Sequence, residues 1–270
     1  MEKHSSKIGF LFDVDGVLTL PVDNKNPRSI IDPSIIEYLN KLLSLKFPMA
    51  FVTGRGQCWI DSNFLNKISP LIKENSLIFM EYGLVFLQNN PEKLVIQEKN
   101  FRNQYYSKIL GQIDEICKKL SILFEKEKVY CDYPSHGSLW VEDKKVMLSI
   151  ASNTKISTKL VHKIITKLDE HLKTHVRIIY HHLGVDILPI GWSKAKAAVH
   201  VNNLIKNKET INKWYVFGDN VSDKEMCQPF DQVKFINTKT GASKKTIKEL
   251  KNIVDFSKFS DFRKSVDNRW

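Results

Sequence analysis

The tightest constraint on this chain is an apolar run that ends in two acids. Lys7 to Val14 reads as a buried strand, and it leads into Phe12-Asp13-Val14-Asp15-Gly16-Val17-Leu18-Thr19. Carboxylates two residues apart would share one face of a strand that simply continued. Gly16 is expected to turn the chain, so that both reach one pocket at the strand's carboxyl end, where open α/β sheets bind ligands. Such a pair repels itself unless a cation or a hydrogen-bond network holds it. Read alone, the pattern fits a turn of solvated aspartates equally well.

Its surroundings narrow the choice. Pro33 to Leu45 has helical spacing, with Ile35, Ile36, Leu39, Leu42 and Leu43 on one face and Asp32 as a helix cap. Met49 to Thr53 and Leu77 to Met80 read as further strands, and glycines follow strand ends. Strand, helix, strand in this order implies parallel βαβ units. From about Asn89 to Leu183 the pattern changes. Two lysine-rich helical stretches, Gln104 to Phe124 and Ser157 to Leu172, accompany short strand-like runs at Ser138 to Val141, Val146 to Ala151 and Val176 to Tyr180. After Gly184 the parallel pattern is expected to resume, with Val185 to Leu188 a strand, Lys194 to Ile205 a helix and Trp214 to Phe217 a strand. A basic tail closes with a helix near Lys244 to Lys251. The expected fold is therefore α/β, a Rossmann-like parallel-sheet core with helices on both faces. Residues 1–88 and 184–270 form the core, and 89–183 form an inserted α+β domain.

Composition excludes more than it selects. At 270 residues, 42% hydrophobic and 26% charged, the chain is neither disordered nor fibrous. The net charge of +11 favours anionic partners without choosing among them. The lysines are spread over helical patterns with no aromatic-basic motif, so nucleic acid is not the expected partner. Ile8 to Phe12 is too short for a signal-peptide core. No stretch reaches the roughly 18 uncharged apolar residues of a membrane helix. Cys58, Cys117, Cys131 and Cys227 form no metal or redox spacing and are expected to be four reduced thiols. A cytoplasmic protein is the expectation.

Three further pieces stand at strand ends or helix starts. Phe51-Val52-Thr53-Gly54-Arg55 offers a hydroxyl and backbone amides, and Gly191-Trp192-Ser193-Lys194 puts a lysine at a helix mouth. Gly218-Asp219-Asn220-Val221-Ser222-Asp223 adds two carboxylates. Each is unremarkable alone: a strand-end threonine, a surface lysine, an acidic turn. Together, in this order, they resemble the four motifs of the haloacid dehalogenase-like hydrolase superfamily, carried by Asp13/Asp15, Thr53, Lys194 and Asp219/Asp223. The large insertion resembles the α+β cap of the sugar-phosphatase branch, as does Val185-Asp186-Ile187-Leu188-Pro189 leading into the lysine motif. Glu81-Tyr82-Gly83 departs from the ENG or NGA sequence frequent there, and Ser222 replaces a common asparagine.

The resemblance implies a magnesium-dependent phosphatase of a small phosphorylated metabolite. Asp13 would attack phosphorus, Asp15 would act as general acid and base, and Thr53, Gly54 and Lys194 would hold the phosphoryl oxygens. Magnesium would sit on Asp13, the Asp15 carbonyl and Asp219, with Asp223 positioning waters or orienting Lys194. In the cap, Arg177, Trp140 and His182 are candidates to meet substrate, with His136 and His181 behind them. Each is more simply an ordinary surface or core residue. Arg55 would face the phosphate or cap a helix. A phosphomutase of the phosphomannomutase type is the alternative activity, and a basic nucleic-acid-binding protein a remote one. Oligomeric state is not legible.

Overall fold

The computed structural model describes residues 7–21, 29–89, 92–131, 139–152, 155–181, 184–207 and 210–257. Two sheets organise them. The larger has the strand order β12-β11-β1-β2-β3-β4-β5. Its members are β1 (Ile8–Phe12), β2 (Met49–Val52), β3 (Leu77–Met80), β4 (Val85–Asn89), β5 (Glu92–Ile96), β11 (Lys213–Gly218) and β12 (Val233–Asn237). From β12 to β3 neighbouring strands are parallel; β4 and β5 join antiparallel at the edge. The smaller sheet runs β6-β7-β8-β10-β9, made of β6 (Phe124–Tyr130), β7 (Leu139–Glu142), β8 (Leu148–Ala151), β9 (Val176–His181) and β10 (Gly184–Pro189). It forms the cap domain inserted into the α/β core.

The helices are α1 (Pro33–Ser44), α2 (Gln57–Ile60), α3 (Pro70–Asn75), α4 (Lys99–Phe101), α5 (Ser107–Lys119), α6 (Lys155–Thr166), α7 (Glu170–Lys173), α8 (Lys194–Lys206), α9 (Val221–Lys224) and α10 (Ala242–Ile253). Asp32 caps α1 by accepting the Ser34 N–H at 2.9 Å, and its second oxygen accepts the Ser243 hydroxyl of α10 at 2.6 Å. Both faces of the large sheet are covered. One core gathers Phe10, Phe12 and Phe51 beneath α1, and the other packs Leu11, Val52 and Val216 against Ala197, Ala198 and Val201 of α8.

Three expectations need correction. Val185 to Leu188 is a strand, but of the smaller sheet, paired antiparallel with β8 and β9. It is buried along its whole length and is apolar but for Asp186, so it resembles a parallel core strand. At the other crossing, β5 still belongs to the large sheet, so the chain leaves that sheet after Ile96 and not at Asn89. The third correction is chemical. Cys58 and Cys131 are joined in a disulfide across 73 residues, leaving Cys117 and Cys227 as the free thiols. No local spacing announces this pair, because only the placement of β6 beside α2 brings their Cα atoms to 5.5 Å. Among the described residues no helix is long and apolar enough to cross a membrane.

Candidate active site

The site lies at the carboxyl ends of β1, β2 and β11, where the chain order reverses on either side of β1. Asp13 is still in sheet register: its N–H donates to Phe217 O at 2.9 Å, and its side chain is buried. Gly16 makes the turn at a φ of 68°, and a Cβ there would lie 2.5 Å from the carboxyl carbon of Asp219. Only glycine satisfies both demands. Gly218 is equally confined, since its Cβ would fall 2.2 Å from that of Asp223.

Lys194 opens α8 behind Ser193, whose hydroxyl caps the helix through the Lys196 N–H at 3.4 Å. Its ammonium lies 2.7 Å from Asp13 Oδ1 and 2.7 Å from Asp223 Oδ1. The other Asp223 oxygen accepts the N–H groups of Asp219 at 2.8 Å and Asn220 at 3.0 Å. Asp223 is thus fully engaged in orienting Lys194 and the turn. Burial pushes the Asp13 carboxyl well above its usual range; Lys194 partly offsets this, while Asp223 and Asp15 add to it. Burial opposes the Lys194 charge, yet Asp13 and Asp223 hold its pKa above the ordinary lysine range. Burial, followed by the Asp223 charge, raises Asp219 to about 6.

Asp13, Asp219 and Asp223 each offer a carboxyl oxygen, all within 4.8 Å of one another. An all-oxygen set with surplus negative charge fits a hard divalent cation such as magnesium. Asp13 and Asp219 are the better placed, because both oxygens of Asp223 already have partners.

Thr53 directly follows β2, and the Phe12–Phe51 register puts it at the same end of the sheet as Asp13. Its hydroxyl accepts the Arg55 N–H at 3.1 Å. Arg55 grips Asp15 with two bonds, Nε to Oδ2 at 2.8 Å and Nη2 to Oδ1 at 3.0 Å. Burial would raise the Asp15 carboxyl, but the charge and hydrogen bonds of Arg55 prevail and bring it down to about 2. Arg55 is thereby held to a carboxylate at the strand ends. It also reaches Glu142 of the cap at 3.4 Å.

The cap meets the core through residues that sequence reasoning passed over. Lys144 donates to Gly54 O at 2.9 Å and pairs with Glu142 at 3.2 Å. Glu81 is buried and accepts the N–H groups of Lys145, Val146 and Met147 at 2.6, 2.9 and 3.1 Å. Tyr82 donates its hydroxyl to Asp186 of β10 at 2.9 Å. Glu81 and Tyr82 both hold positive φ, 50° and 59°, a costly pair of left-handed residues that these bonds stabilise. The unusual Glu81-Tyr82-Gly83 sequence was the available signal. Nothing local pointed to Glu142, Lys144 or Asp186, whose positions depend on how the cap sits.

The cap candidates fare differently. Trp140 is fully buried in β7 with Tyr130 edge-on to it, a packing position with no surface to offer a substrate. Arg177 bridges the domains, pairing with Glu225 beyond α9 and donating to Trp192 O at 3.1 Å. His181 lies 3.7 Å from Asp186. His182 and His136 fall outside the described residues. A cavity of about 640 Å³ lined by Gln57, Asp61, Lys73 and Lys93 shares no residue with the carboxylate cluster.

Comparison with known proteins agrees with this architecture. The C-terminal domain of C. albicans trehalose-6-phosphate phosphatase is similar at 19% identity over 84% of this chain and 74% of its own, with a TM-score of 0.60. A haloacid dehalogenase-like hydrolase from Bacteroides thetaiotaomicron gives 13% identity, 93% and 100% coverage, and a TM-score of 0.60. Plasmodium falciparum IMP-nucleotidase gives 13%, 92% and 68%, and 0.53. At these identities the likeness is one of fold. No curated protein sequence matches the chain. A family model described as haloacid dehalogenase-like hydrolase matches residues 10–232. Since that stretch takes in the whole carboxylate–lysine cluster from Asp13 to Asp223, the chain belongs to the haloacid dehalogenase-like hydrolases.

Proposed function

We propose that the protein is a magnesium-dependent phosphatase of small phosphorylated metabolites, sugar phosphates foremost, working through an aspartyl-phosphate on Asp13. The observation that carries this reading is the buried Asp13 held 2.7 Å from Lys194, with Asp219 close by. Asp13 Oδ2, the oxygen not paired with lysine, attacks phosphorus in line. Lys194, the Thr53 hydroxyl and the Gly54 amide neutralise and orient the phosphoryl oxygens. Asp13, Asp219 and the Asp15 carbonyl would hold magnesium, which would supply further charge neutralisation. Asp223 keeps Lys194 aimed.

Asp15 completes the cycle by protonating the leaving alkoxide and then taking a proton from water. In the arrangement described, Arg55 holds it as a carboxylate, the form needed for the second step. Acid catalysis requires that grip to loosen as substrate enters. A sugar-phosphate substrate is supported by the resemblance of the insertion to the sugar-phosphatase branch. A cytoplasmic setting would supply such metabolites.

The test is release of inorganic phosphate from a panel of sugar phosphates, nucleotides and an aryl phosphate, with magnesium present and absent. Isomerised sugar phosphate is assayed in the same reactions. Isomerisation without phosphate release would replace the phosphatase by the mutase, and activity undiminished in excess chelator would remove the metal from the reading.

A further inference from the structure

The disulfide links the two domains beside the catalytic loop. Cys58 lies in α2, three residues past Arg55, and Cys131 directly follows β6 of the cap. Tyr130, next to Cys131, accepts the Asp143 N–H at 2.9 Å. Asp143 belongs to the β7–β8 turn that carries Lys144, and this turn presses on the core so closely that a Cβ on Gly56 would lie 2.1 Å from Asp143 O. The bond thus fastens the turn that meets Gly54, Glu81 and, through Glu142, Arg55.

We propose that Cys58 and Cys131 form a redox-modifiable clamp, closed by a small-molecule disulfide and opened by a thiol, that fixes the cap against the catalytic loop. Both cysteines are half-buried and within reach of such a reagent. The other two thiols compete poorly: burial, then the charge of Asp114, pushes Cys117 up to about 11, and burial raises Cys227. To close the clamp, one thiolate of the pair attacks a sulfur of RSSR and expels RS⁻, giving a mixed disulfide. The second thiolate then attacks the protein sulfur of that bond and expels the second RS⁻. The two cysteines lose two electrons and two protons, and one RSSR becomes two RSH.

The consequence is mechanical. Two chain crossings between the sheets allow a hinge, and a third covalent link beside α2 prevents the cap from swinging clear. The oxidised protein should exclude bulky phosphate esters while still admitting small ones.

The experiment uses the full chain equilibrated with oxidised glutathione or with dithiothreitol, with bridged cysteines identified by alkylation and mass spectrometry. Hydrogen exchange is followed at Lys145, Val146 and Met147, whose amides bond to Glu81. Reduction should speed their exchange roughly tenfold or more, and Cys58→Ser and Cys131→Ser should match the reduced protein under both conditions. The ratio of turnover on a disaccharide phosphate to that on an aryl phosphate should rise several-fold on reduction. Failure of the bond to form, or equal exchange in the two redox states, overturns the clamp, as does an unchanged ratio in an active enzyme. Altered exchange in a protein that hydrolyses neither ester supports the clamp and instead defeats the phosphatase reading, on which the exchange measurement does not depend.

Discussion

At the scale of single residues, the site is a problem in placing negative charge. Asp13, Asp219 and Asp223 crowd around one ammonium, and Asp13 keeps one oxygen free of lysine. Asp13→Asn preserves shape and hydrogen bonding but removes the attacking charge. Turnover should fall below about a hundredth of wild type, as for other covalent nucleophiles, while the circular dichroism spectrum is unchanged. Retained turnover above that level would contradict the covalent role. Asp186 shows the opposite balance. Burial opposes its charge, but His181, Lys144 and Ser149 together outweigh burial and bring the carboxyl down to about 2, below its unfolded value. Its stabilising contribution is therefore full above about pH 4 and disappears as the pH falls through 2. The unfolding free energies of wild type and Asp186→Asn should differ by roughly 2 kcal/mol at pH 5 and converge in acid. A gap independent of pH would mean that the Tyr82 hydrogen bond, not the charge, matters.

At the scale of elements, the motif-bearing strands were readable because each is an apolar run that stops at a glycine or an acid. Asp32 was expected to cap α1, and the Ser34 N–H donates to it. The cap helix expected at Gln104 to Phe124 differs at both ends. A π-helical stretch, Arg102–Tyr106, joins α4 to α5, so that the helical run starts at Lys99. It stops at Lys119, after which Ser121 reverses the chain with a φ of 54°. Periodicity continued past the carboxyl end because Ile122 and Phe124 pack on the same core. Trp140 stood as a candidate to meet substrate and more simply as a core residue, since composition cannot distinguish a buried aromatic from a binding one; it is fully buried. Its truncation tests the difference. Trp140→Ala should destabilise the protein by roughly 3–5 kcal/mol, read as a lowered denaturation midpoint. A stable variant with altered substrate preference would instead return Trp140 to the binding surface.

At the scale of the whole molecule, the parallel core presents its strand ends to a cap held by Arg55, Glu81, Lys144, Arg177 and the Cys58–Cys131 bond. A cation bound in the fold and not in the unfolded chain must raise the melting temperature. At a hundredfold excess over its dissociation constant, magnesium should add about 2.7 kcal/mol to wild type. Asp219→Ala should show little of this gain in the same thermal scan. An equal gain in both proteins would place the ion elsewhere.

The sequence by itself determined the α/β core, the inserted second sheet and the set of acids, threonine and lysine at the strand ends. Those depend on local periodicity and on residues that must follow a strand or open a helix. Tertiary structure alone decided which sheet Val185 to Leu188 joins, that Arg55 holds Asp15, and that Cys58 meets Cys131. Arg55 meets Asp15 across 40 positions within the core, and Cys58 meets Cys131 across 73 positions between the two domains. Such contacts leave no period in the chain, and the pairing of Val185 to Leu188 with β8 and β9 is likewise invisible in its own apolar pattern.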